Sequence, residues 1–228
     1  MCLILLAWRV QAEFPLIVAA NRDEYHARPA ERAGFWHDRP QILGGRDLEA
    51  AGTWMGVARN GKFSAVTNYR GGKDPRAVES RGHLVTRFLE NGAAPAAYFG
   101  ELAARGSTYS GFNLLASNDR ELWWVSNRGG EPQRLEPGVY GLGNDLLDSD
   151  EPVVREGKQR LALALANGVS IESLLALLLP ARVLAPVYGT RCSTALMKGA
   201  EGRIAYAERA FTADGVEGET LRYEFSVV

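Results

Sequence analysis

The stretch Cys2-Leu3-Ile4-Leu5-Leu6-Ala7-Trp8, then Leu16-Ile17-Val18-Ala19-Ala20 closed by Asn21-Arg22-Asp23-Glu24, decides how the chain is read. Two short apolar runs separated by polar turn residues are the pattern of paired strands. They predict strands over Cys2–Val10 and Leu16–Ala20, flanking a turn at Gln11–Pro15. If the two pair as a hairpin, the end of the second lies near the start of the first. Four polar residues closing an apolar strand then put ionisable groups at a sheet margin, with Asp23 beside residue 2. Alternation sets Asn21 and Asp23 on one face and Arg22 and Glu24 on the other.

Working outward, Trp54–Ala58 and Phe63–Thr67 flank Arg59-Asn60-Gly61-Lys62, whose Asn-Gly is a strong hairpin signal. Helical patterns follow over Ser80–Glu90 and Pro95–Arg105. Strands return at Phe112–Ala116 and Glu121–Ser126 around Ser117-Asn118-Asp119-Arg120, and again at Gly138–Gly143. Glu156–Ala166 and Ile171–Leu178 read as helices, the second with Ser170 as its N-cap. Strands at Ser193–Met197, Ile204–Glu208 and Thr220–Val227 close the chain. Gly44-Gly45-Arg46-Asp47 has the wrong spacing for a nucleotide loop and reads as a tight turn with an Arg–Asp pair. Runs of strands alternating with blocks of two helices indicate the α+β class, antiparallel sheets covered by helices. No repeat or low-complexity linker divides the chain, so it reads as one domain over 1–228.

Composition narrows the function. The 228 residues carry 26 Lys plus Arg against 27 Asp plus Glu, a net charge of −1, which argues against a broad nucleic-acid binder. At this length folding buries about 70–75% of the unfolded surface, so the core needs no disulfide or metal staple. Two cysteines, Cys2 and Cys192, are too few for a secreted disulfide scaffold. With three histidines (His26, His37, His83) and no CxxC or HExxH run, no metal or cofactor is expected. Leu3–Trp8 is too short for a signal-peptide core, and Leu161–Leu179 is interrupted by Asn167, Ser170, Glu172 and Ser173. The expectation is a cytoplasmic protein without membrane insertion.

The chemistry starts at Cys2. Cysteine is small enough for a preceding initiator methionine to be excised, and excision leaves an α-amine on Cys2. That amine has a pKa of about 7.7–8.0, suited to taking a proton near neutrality. One residue then carries both nucleophile and base. The bland alternative is a buried cysteine in an apolar strand. Asn21-Arg22-Asp23-Glu24 raises the functional reading, since a carboxylate beside residue 2 would hold the amine or orient the thiol. Asn68 and Asn144 are either turn asparagines or amide donors to a developing oxyanion, a contact worth about 2.7–4 kcal/mol. Arg191 is either a surface arginine or a clamp for a carboxylate or thiolate. Cys192 reads as a buried thiol, and Trp8, Trp36, Trp54, Trp123 and Trp124 as core and groove lining.

Met1-Cys2 with Asn21-Arg22-Asp23-Glu24 resembles the NRDE family, also called transport and Golgi organization protein 2 homologs. Further marks along nearly the whole chain are Gly44-Gly45-Arg46-Asp47, Gly52-Thr53-Trp54-Met55-Gly56, Ala65-Val66-Thr67-Asn68-Tyr69-Arg70, Ser110-Gly111-Phe112-Asn113-Leu114-Leu115, Gly141-Leu142-Gly143-Asn144 and Tyr188-Gly189-Thr190-Arg191-Cys192-Ser193. The family's eukaryotic members are linked to secretory organisation, lipid metabolism and haem handling. More distantly, the layout is similar to cysteine-type N-terminal-nucleophile hydrolases. That resemblance implies a four-layer αββα sandwich and cleavage of non-peptide amide bonds. It matches Cys2 to the nucleophile and Asp23 to the acid that orients its amine. Asn21 matches the asparagine two residues before that acid. Asn68 and Asn144 match asparagines lining the site and the oxyanion position, and Arg191 a late arginine beside the nucleophile. Those hydrolases place an arginine immediately before the asparagine, where this chain has Ala20. Arg22, between Asn21 and Asp23, points to the opposite face of a regular strand, so the cation is absent from its expected place.

Three functions follow as expectations. The first is an amidohydrolase acting on a small acyl amide. The second is a binding protein for an apolar, haem, lipid or acyl ligand, and the third a trafficking protein acting through its surface. Under the first, Cys2, Asp23, Asn144 and Arg191 are catalytic and Asn21, Arg22 and Asn68 bind substrate.

Overall fold

The computed structural model describes every residue except Met1, Lys73 and Ala104. In chain order its strands begin with β1 (Leu3–Trp8), β2 (Leu16–Tyr25), β3 (Ala30–Phe35), β4 (Ile42–Asp47), β5 (Met55–Ala58) and β6 (Phe63–Asn68). Helices α1 (Gly82–Glu90) and α2 (Pro95–Ala103) precede β7 (Phe112–Ser117), β8 (Leu122–Ser126), β9 (Gln133–Leu135) and β10 (Gly138–Leu142). Helices α3 (Pro152–Ala166) and α4 (Ile171–Leu178) lead into β11 (Tyr188–Lys198), β12 (Arg203–Phe211) and β13 (Glu217–Ser226). Both sheets are antiparallel throughout, and the class is α+β, as expected.

The chain divides into two compact units. One runs through Arg28 and takes in Pro137–Gly143 and Leu147–Val227. Its sheet has the order β10-β1-β2-β11-β12-β13, with the first two strands paired as the predicted hairpin. Leu3, Leu5, Ala7, Ile17, Ala19, Ala195 and Met197 pack against Val154 and Leu161 of α3 and Leu174, Leu175 and Leu178 of α4. That fixes the odd-numbered positions of β1 and β2 as the helical face. Ser170 caps α4, accepting from the Ser173 N–H while the Ser173 hydroxyl accepts from the Ser170 N–H.

The second unit holds Pro29–Glu136, Asn144–Leu146 and Val228. Its sheet runs in sequence order from β3 to β9. One face packs Ile42, Val66, Phe112, Leu114 and Val125 against Leu84, Val85 and Phe88 of α1 and Phe99 of α2. The Asn60-Gly61 hairpin forms as read, with Gly61 at φ +80°. Its buried Lys62 reaches the chain just past α1, donating to the carbonyls of Asn91 at 2.6 Å and Ala93 at 2.5 Å. Among the described residues no helix is long and apolar enough to cross a membrane.

The structure corrects several boundaries. Strand β2 continues five residues past Ala20, so Asn21, Arg22 and Asp23 are buried inside a strand rather than lying at its margin. Gly44-Gly45-Arg46-Asp47 belongs to β4 and is no turn, and Arg46 pairs with Asp38 at 2.6 Å, not with Asp47. These glycines serve close approach: a Cβ on Gly44 would lie 2.6 Å from the Met55 carbonyl oxygen, and one on Gly45 would overlap the Trp54 ring. Strands β3 and β9 escape the pattern because each is a partly exposed sheet edge of poor strand formers. The predicted Pro95–Arg105 helix ends at Ala103, and its Ala104 lies outside the described residues.

Gly44→Ala pushes a Cβ against backbone and should destabilise the chain by about 1–3 kcal/mol in urea unfolding. Gly100 of α2 is exposed with nothing within 4 Å of its would-be Cβ. Gly100→Ala should therefore stabilise by about 0.5–1 kcal/mol. Equal effects of the two substitutions would contradict the close-approach argument.

Candidate active site

The site grows from the pairing of β2 with β11. Register places Tyr188 opposite Tyr25, Thr190 opposite Asp23, Cys192 opposite Arg22 and Ser193 opposite Asn21. Arg191 is the extra residue of a β-bulge, a device that re-aims side chains near functional sites. Its Nη1 donates to the carbonyls of Tyr25, His26 and Arg28 at 2.9, 3.1 and 3.1 Å, fastening the chain where it leaves β2.

Cys2 is half-buried at the entry to β1. Its thiol lies 3.6 Å from the Asp23 carbonyl oxygen, to which the Tyr188 hydroxyl also donates at 3.1 Å. The Tyr188 ring stands edge-on to Tyr25, centroids 5.4 Å apart. Asp23 is buried, and its Oδ1 accepts from the Thr190 hydroxyl at 2.6 Å. Thr190 is in turn locked to Val183. Its N–H donates to the Val183 carbonyl at 2.9 Å and its hydroxyl accepts from the Val183 N–H at 2.8 Å. A Cβ on Gly189 would lie 2.7 Å from that same carbonyl, so only glycine lets residues 183–190 close in this way.

Electrostatics follow from burial. Desolvation raises the Cys2 thiol above its ordinary pKa, and the Asp23 carboxylate adds to the rise. Desolvation also raises the Asp23 carboxyl, against the lowering influence of the Thr190 hydrogen bond. The Tyr188 phenol goes up as well, by burial first and then by its proximity to Cys2. The resting thiol is therefore neutral at pH 7.

Other expected site residues are held as follows. Asn21 donates to the Leu178 carbonyl at 3.2 Å and accepts from the Ser193 hydroxyl at 2.6 Å, tying β2 to the end of α4 and to β11. Arg22 lies buried across from Cys192, whose thiol is also buried. Asn68 and Asn144 come together in the second unit: Asn144 Nδ2 donates to the Asn68 carbonyl at 2.6 Å, and Arg70 N–H to the Asn144 carbonyl at 2.7 Å. The neighbouring Asp145 carbonyl accepts from fully buried Asn113 at 2.9 Å. Tyr188, Thr190 and Asn113 were not singled out in the sequence, although each stands in a quoted family motif. Only the strand partners identify what they touch. Among the described residues no group of three or more His, Cys, Asp or Glu side chains is placed to hold a metal ion.

Comparison with known proteins bears on family and fold. Residues 1–184 match the family described as Transport and Golgi organisation 2. The Transport and Golgi organization protein 2 homolog of Bos taurus is 34% identical, covering 93% of this chain and 92% of that protein. That of Homo sapiens is 34% identical over 94% of this chain and 93% of its own length. Drosophila melanogaster Transport and Golgi organization protein 2 is 32% identical over 73% of this chain and 65% of its own. Among solved structures, a Caenorhabditis elegans N-acylethanolamine-hydrolyzing acid amidase ortholog matches with a TM-score of 0.55 and 14% identity, over 86% of this chain and 92% of that one. At that identity the likeness speaks for the fold alone, the N-terminal-nucleophile-hydrolase-like fold that the residues resembled. Matched across residues 1–184 and 34% identical to its bovine and human relatives along almost its whole length, the chain belongs to the Transport and Golgi organisation 2 family.

Proposed function

We propose that the chain is an amidohydrolase that cleaves a non-peptide C–N bond of an acyl amide, with Cys2 as nucleophile. The observation that carries this reading is the Cys2 thiol at the entry to β1, 3.6 Å from the Asp23 carbonyl, in a fold shared with a solved amidase. Excision of Met1 leaves the α-amine on Cys2. The amine takes the thiol proton, and the thiolate adds to the acyl carbonyl carbon. Collapse of the tetrahedral oxyanion breaks the C–N bond, and the ammonium returns its proton to the leaving amine. Water, deprotonated by the same amine, then hydrolyses the thioester to release a carboxylic acid and restore the thiol. The Asp23 carboxylate, aimed by Thr190, holds the ammonium.

A second reading, a binding protein for a haem, lipid or acyl ligand, is favoured by the raised thiol, since a neutral thiol is a weak nucleophile. The two readings differ in what removing the thiol does. Cys2→Ala should abolish hydrolysis across an acyl-amide panel, and Cys2→Ser should lose most of it. Equal hydrolysis by wild type and Cys2→Ala, or none by wild type beside tight lipid or haem binding, selects the second.

The pKa directions give a sign as well. Both leading influences raise the thiol, so kcat/KM should climb with pH, its midpoint above the reference of about 8.5. Asp23→Asn removes one of those influences. Alkylation of Cys2 by iodoacetamide at pH 7 should become faster while hydrolysis becomes slower, because the amide no longer holds the ammonium. Thr190→Val keeps the carboxylate but frees its direction, and should slow hydrolysis about tenfold, roughly one lost hydrogen bond to a charged group. Hydrolysis and alkylation falling together in Asp23→Asn would count against its assigned role.

A further inference from the structure

Arg22 takes no part in the steps above, yet it is only 6% exposed in the middle of the first unit's sheet. Leu3 lies opposite Asn21, so Cys2, one residue further out, is level with Arg22. On its other side Arg22 lies opposite Cys192. Residues directly across an antiparallel pair share a face, and alternation sets this one away from α3 and α4. Arg22 and Cys192 thus face one another across β2 and β11, and Cys2, just before β1, extends the same row.

A buried guanidinium needs opposite charge nearby. Glu208, 1% exposed, is on the same face of β12: it lies opposite Thr194, which lies opposite Ala20. With strands about 4.8 Å apart, Arg22 and Glu208 are separated by a single strand. That strand presents only the small side chains of Cys192 and Thr194 between them. Both charges act on the intervening Cys192 thiol, which burial raises first, Glu208 raises further and Arg22 lowers.

We propose that Arg22 is a positioning residue for Cys2: its guanidinium, buried in the same row of the sheet, favours the thiolate at the end of the neighbouring strand. The proposal builds on the reading of Cys2 as nucleophile, but its test does not need turnover. Among the described residues the charged and titratable groups around Cys2 are Arg22 and Asp23 of β2 and Tyr188 of β11. Only the first is changed.

The experiment is the pH dependence of Cys2 alkylation by iodoacetamide in the folded full-length chain, followed by peptide mass. Arg22→Met should move the midpoint up by about half to one unit and slow alkylation at pH 7.5 about three- to tenfold. Arg22→Lys, which keeps the charge, should recover most of the wild-type rate. If Arg22→Met does not fold by circular dichroism, Arg22→Gln replaces it with the same expected shift. An unshifted midpoint in a folded, uncharged Arg22 variant overturns the proposal. A wild type that hydrolyses no amide while Arg22→Met still shifts the midpoint removes the amidase reading and supports the role of Arg22.

Discussion

Three consecutive polar side chains buried inside a central strand are the constraint from which the first unit's structure follows. Asn21, Arg22 and Asp23 sit in β2 between β1 and β11, and each is almost wholly shielded from water. An unmet buried amide or charge costs several kcal/mol, comparable to a large share of a domain's net stability. The neighbouring strands are shaped to meet that demand. Ser193 and the Leu178 carbonyl take the two ends of the Asn21 amide, and Thr190 takes Asp23. Serving both from one strand requires β11 to slip by a residue between Thr190 and Cys192, which is where the bulge falls. The extra residue, Arg191, then spends its guanidinium on three backbone carbonyls at and just past the end of β2. Register, bulge and loop closure are thus consequences of one polar segment.

The same segment sets the chemistry at Cys2. A thiol at the entry to β1 is carried by the hairpin to the Asp23 carbonyl, and the carboxylate of that residue is near enough to raise it. Desolvation works in the same direction, so the site favours a neutral thiol at rest. Ala20 stands where the resembled hydrolases carry arginine. The sequence pattern groups residue 2 with Asn21 and Asp23 and so sets Arg22 away from Cys2; with Leu3 opposite Asn21, Cys2 instead falls level with Arg22, on the face that Arg22 shares with Ala20. In the second unit a comparable economy operates, with fully buried Asn113 fixing the Asp145 carbonyl and so the Asn68–Asn144 contact beside it.

Much of this was legible residue by residue. The hairpin of β1 and β2, the Asn60-Gly61 turn, the Ser170 cap and the two helix pairs all announce themselves through local pattern. The failures share a cause. Asn21-Arg22-Asp23 looked like a strand end because polar residues usually stop a strand, and only partners 160 or more residues away, such as Thr190 and Ser193, allow it to continue. Gly44-Gly45 looked like a turn because glycine usually permits one, whereas here the missing Cβ makes room for Met55 and Trp54. Arg46 looked paired with its neighbour Asp47 and reaches Asp38 instead.

What the sequence determined by itself is the α+β class, most element positions, the cysteine at position 2 and the polar run that mark its family. Those follow from periodicity and residue type, which act over a few residues. What only the tertiary structure decided is which side chains those residues meet: Thr190 on Asp23, Tyr188 beside Cys2, Cys192 between Arg22 and Glu208. Pairing of strands distant in sequence has no local signature. The protonation of the thiol depends on burial and on charges brought by that pairing, so it could be known only once the strands were aligned.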